Sequence, residues 1–95
     1  MNFLLDYGMS EELISKMIDR YDEGVIDLFK LESENVISVI EFFNEIGIKC
    51  IDQLLLFRIE VFTKDVDKVK REFNKHNVKM IVDDINEDIM NIDFI

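Results

Sequence analysis

Apolar residues recur along this chain at three- and four-residue spacing, the period that lines one face of a helix. Leu13, Ile14, Met17, Ile18 and Tyr21 form one such face. Ser10 starts it as an N-cap, and Glu11 and Glu12 fall in the first turn, where the helix dipole favours acids. Ahead of it, the short apolar stretch "NFLLDY" (2–7) is closed by Gly8 in the position of a helix C′ residue. "DEGVIDLF" (22–29) holds a breaker and then a short apolar turn. Ser33 reads as the next N-cap, for a helix over 34–46. Its apolar face carries Val36, Ile37, Val39, Ile40, Phe42, Phe43 and Ile46, with Glu34, Ser38, Glu41 and Glu45 opposite and Gly47 closing it. A further helix spans 49–58 through Ile51, Leu54, Leu55 and Arg58. Thr63 or Asp65 caps another that reaches about Lys75 on a thin stripe of Val66, Val69 and Phe73. Asn77 takes the closing position there, since Asn tolerates the left-handed conformation. A last helix sets Ile81, Ile85 and Ile89 on one face.

One pattern competes. "FRIEVF" (57–62) alternates apolar and polar residues, which is strand periodicity, and "VKMIV" (78–82) is strand-like too. With the helix between them they make a βαβ unit at about 57–85, so an α+β fold is the alternative to an all-α one.

The chain also repeats itself. "LLDYGMSEELISKMI" (4–18), "FFNEIGIKCIDQLL" (42–55) and "EFNKHNVKMIVDDI" (72–85) share a plan. Each has an apolar pair, two or three polar residues, Gly or Asn, an apolar residue and a short amphipathic helix. Phe43 falls on Phe73, Asn44 on Asn74, Gly47 on Asn77, Lys49 on Lys79 and Ile51 on Ile81. Periods of this size mark stacked helical units, none of which buries its apolar face alone. The sequence therefore predicts one all-α domain over 1–95, a short solenoid-like stack of helix pairs.

"LLDYGMSEELISKMIDRY" followed by "ENVISVIEFFNEIGIKCIDQLLLFRIEVF" resembles the repeats of the mitochondrial transcription termination factor family. Those repeats run as a leucine-rich helix, a Gly-apolar turn, a second helix with Leu-Leu and an Arg-aromatic-Pro closing turn. Arg20-Tyr21 stands at the Arg-aromatic position and Arg58-Ile59 matches it in part; the proline is absent. The resemblance implies a curved all-α solenoid that binds nucleic acid through a basic concave face.

Charge points elsewhere. The net charge is −10, which opposes both a phosphate backbone and an anionic membrane and favours a basic partner. No apolar run is long enough to span a bilayer, and the first residues lack the pattern of a signal or transit peptide. One cysteine makes no internal disulfide. A cytoplasmic protein is the expectation. The chain has no Ala, Pro or Trp and much Ile, Lys and Asn, which suggests an AT-rich, bacterial gene.

Residues 64–80 reverse the charge, with six basic and three acidic side chains. Lys64, Lys68, Arg71 and Lys75 recur at i, i+4, i+7 and i+11, one stripe along a helix that could grip a polyanion or an acidic partner. The competing account is a solvated face, or one met by residues 81–95, which hold five acids and no base. His76 stands alone, so a zinc site lacks its ligands. Cys50 as a nucleophile would need a base, and His76 is the one candidate. "DRYDEGVID" fails as a calcium loop, because Tyr21 and Lys30 fall where oxygen ligands are required. No catalytic, cofactor or metal site is expected. The apolar segments "MNFLL" and "IMNIDFI" pack as half-units or offer a dimer or partner surface, with Phe94 and Ile95 its marked residues. These patterns favour a small acidic, non-enzymatic protein-interaction module. The alternative is a nucleic-acid-binding module using the stripe at 64–75.

Overall fold

The computed structural model describes residues 1–95 as helices joined by short turns, with no strand. A 3₁₀-helix (Asn2–Tyr7) leads into α1 (Glu11–Arg20), α2 (Glu23–Leu31), α3 (Ser33–Ile46) and α4 (Ile51–Phe57). A middle 3₁₀-helix (Ile59–Thr63) follows, then α5 (Val66–Asn74), α6 (Val78–Glu87) and a last 3₁₀-helix (Ile89–Phe94). No helix is long and apolar enough to cross a membrane.

The α+β alternative falls. Residues 59–63 close as a 3₁₀-helix, in which i and i+3 eclipse, so Ile59 and Phe62 enter the core together. The apolar run at 78–82 is the first half of α6. Local alternation yields here to burial against helices.

The glycine turns follow the expected chemistry. Gly8 and Gly47 close their helices at φ 87° and 96°, where a side chain would be strained. Ser10 caps α1, its Oγ accepting from Leu13 N–H at 3.1 Å. Asn77 departs from expectation: it sits at φ −71° and caps α6, its Oδ1 accepting from Met80 N–H at 3.3 Å. The carboxamide does more at an N-cap than at a left-handed C′ site. The end of α5 instead tightens through Lys75 N–H to Glu72 C=O and His76 N–H to Phe73 C=O. Ser33 is the first residue of α3 rather than its cap, and the breaker-and-turn at 22–29 is a full helix reaching Leu31. Ile89 lies past the end of α6.

α3 is the hub. It packs on α2, α5, α6 and the middle 3₁₀-helix. Val36, Val39, Ile40 and Phe43 on it are fully buried. Phe43 meets Phe62 edge-on at 5.6 Å and lies 5.8 Å from Phe73, which takes Phe42 and Phe94 edge-on at 5.5 and 5.1 Å. Such pairs add about 0.5–1.5 kcal/mol beyond their area burial. Phe43 and Phe73 thus join α3 to α5 in one aromatic cluster.

Polar side chains tie distant turns to this core. Asn35 on α3 donates from Nδ2 to Phe62 C=O (3.2 Å) and Lys64 C=O (2.5 Å), and its Oδ1 accepts from Val66 N–H (3.0 Å). Asn86 on α6 accepts from Lys49 N–H (2.8 Å) and donates to Gly47 C=O (3.1 Å). Tyr21 Oη donates to the Leu55 and Leu56 carbonyls at the end of α4. Arg58 pairs with Glu60 at 2.6 Å and with Asp93 of the last 3₁₀-helix.

Candidate functional site

α2 buries Ile26 and Phe29 against the body, yet it carries a second apolar face. Val25 (38% exposed), Leu28 (49%) and Leu31 (80%) turn outward. The apolar arc of this helix is wider than the ~100° stripe one neighbour covers. Between α2 and the middle 3₁₀-helix lies a groove of about 310 Å³, lined by Tyr21, Val25, Leu28, Ile59, Glu60 and Thr63. The side chains facing it are mainly apolar. Its polar groups are engaged or peripheral: the Tyr21 hydroxyl is spent on α4 and the Glu60 carboxylate on Arg58. Burial pushes the Tyr21 phenol above its ordinary 10.0, so it stays a neutral donor. The Arg58 pKa is raised, chiefly by the hydrogen bond to Glu60.

Glu23 and Asp27 stand at i and i+4 in the row of α2 that ends at Leu31, on the side turned away from the groove-facing Val25 and Leu28; Asp22 precedes the helix. A larger cleft of about 690 Å³ opens beside the Gly8 and Gly47 turns. It is more open, and Met9, Leu13, Ile48 and Ile51 share its wall with six glycine or polar residues, among them Ser10, which caps α1.

The basic stripe is only partly assembled. Lys64 precedes α5 instead of lying on it, and its Nζ donates to the Ile95 main-chain oxygen at 2.7 Å. Lys75 pairs with Glu72 at 3.0 Å, which lowers the Glu72 pKa from its ordinary 4.5. Lys68 and Arg71 are exposed and form no ion pair. Phe94 and Ile95 are half-buried; Phe94 packs on Phe73 and, at 5.1 Å, on His76. Cys50 is half-buried, its Sγ 3.6 Å from Ile85 C=O and 3.8 Å from Asn86 Oδ1, and burial pushes its thiol above 9.0. His76 is packed on Phe94 and does not join it. No three His, Cys, Asp or Glu side chains converge on a point that could hold a metal ion.

The groove is absent from the sequence-level expectations. Its one visible signal is the apolar excess of 25–31, where Val25, Ile26, Leu28, Phe29 and Leu31 exceed what a single packed face needs. Comparison with protein-family models, curated proteins and solved structures finds no match to this chain.

Proposed function

We propose that the chain is a non-enzymatic, cytoplasmic protein-interaction module that docks a partner in the groove between α2 and the middle 3₁₀-helix. The carrying observation is the outward apolar row Val25, Leu28 and Leu31 beside an apolar trough. An uncovered helix face of this kind marks a contact surface in small globular proteins.

A stack of three units suits this role. The element order divides into the first 3₁₀-helix with α1 and α2, α3 and α4 with the middle 3₁₀-helix, and α5 and α6 with the last. α1 packs on α4, and α3 on α5, so corresponding helices of successive units meet. Tyr21 grips the end of α4, and Arg58, the residue after α4, grips Asp93 in the next unit. We propose a repeat stack on this basis, with the resemblance to the mitochondrial transcription termination factor repeats extended to fold alone. The nucleic-acid alternative retains Lys68 and Arg71, since Lys64 and Lys75 are engaged within the chain.

Affinity capture from a lysate of the source organism tests the assignment with three baits: the unaltered protein, Leu28→Asp/Leu31→Asp and Lys68→Glu/Arg71→Glu. A partner kept by the second variant pair and lost by the first supports the groove. A partner lost only with Lys68 and Arg71, or salt-sensitive binding of labelled RNA or DNA in anisotropy, overturns it.

A further inference from the structure

We draw no further inference here: the strongest candidate, the apolar groove between α2 and the middle 3₁₀-helix with Val25, Leu28 and Leu31 turned outward beside it, belongs to the site already described, and nothing in the structure shows what covers it.

Discussion

Asn35 is the residue whose loss the structure prices most directly. It makes three hydrogen bonds from α3 to the strip that ends the middle 3₁₀-helix and starts α5, contacting Phe62, Lys64 and Val66. Each bond of this kind is worth about 1 kcal/mol net, and a main-chain group left unpaired costs more. The site is part-buried, so water recovers some of the loss. Asn35→Ala should therefore lose about 2–3 kcal/mol. For a domain of this size roughly 4–8 °C accompanies each kcal/mol, so the melting temperature should fall by about 8–24 °C. Asn35→Asp keeps the acceptor for Val66 N–H but turns a carboxylate towards two carbonyl oxygens, and should lose at least as much at neutral pH. Urea unfolding gives the energy, with an unchanged slope showing that stability alone has moved. Hydrogen exchange adds location: amides of α5 should exchange faster, those of α1 should not. The same middle 3₁₀-helix walls the groove through Ile59 and Thr63, so partner docking there should weaken as well. A loss below about 0.5 kcal/mol for Asn35→Ala, or faster exchange spread evenly over all helices, would refute this accounting.

Three further outcomes are expected. Gly47→Ala should cost about 1–2 kcal/mol because φ is 96° there, whereas Gly24→Ala, at negative φ with nothing within 4 Å of an added Cβ, should be neutral or stabilise by about 0.4–1 kcal/mol; urea curves of the two separate backbone strain from composition. Cys50 should react with a disulfide reagent more slowly in the folded protein than in urea at pH 7.5, and faster as pH rises, because burial raises its thiol pKa and leaves less thiolate at neutral pH; an accelerated folded-state reaction would revive a nucleophilic role. Glu72 should titrate below 4.5 by carbon-13 NMR and return towards it in Lys75→Met; since its folded pKa is depressed, the small stabilisation is present above the unfolded value and fades as pH falls through the folded one.

Legibility varied with the range of the interaction. Ser10, Gly8 and Gly47 act through their own turn, and their roles follow from residue type. The α3 face did as well: Val36, Val39, Ile40 and Phe43 are the buried residues of a pattern that admits one helix phase. Asn77 misled because Asn suits both a left-handed C′ site and an N-cap, and the choice depends on how α5 ends. The alternation at 57–62 misled because a 3₁₀-helix and a strand both bring Ile59 inward; a neighbouring strand would be needed to decide for β, and none exists. Lys64 seemed one member of a helical row until the cap at Asp65 placed it outside the helix.

By itself the sequence favoured the helical class and determined the order of α1, α3, α4, α5 and α6, the glycine-closed turns at Gly8 and Gly47 and the acidic balance. These rest on local periodicity, φ freedom and composition, which act within a few residues. Tertiary structure alone decided which apolar face stays open. Val25, Leu28 and Leu31 are as apolar as Ile26 and Phe29, and nothing local separates them. The difference is that α3 and the middle 3₁₀-helix cover one side of α2 and end before the other. Tertiary packing likewise drew Asn35, Asn86, Tyr21 and Arg58 into clasps across 27–39 residues of chain, because a polar side chain acquires its partner only when the fold delivers one.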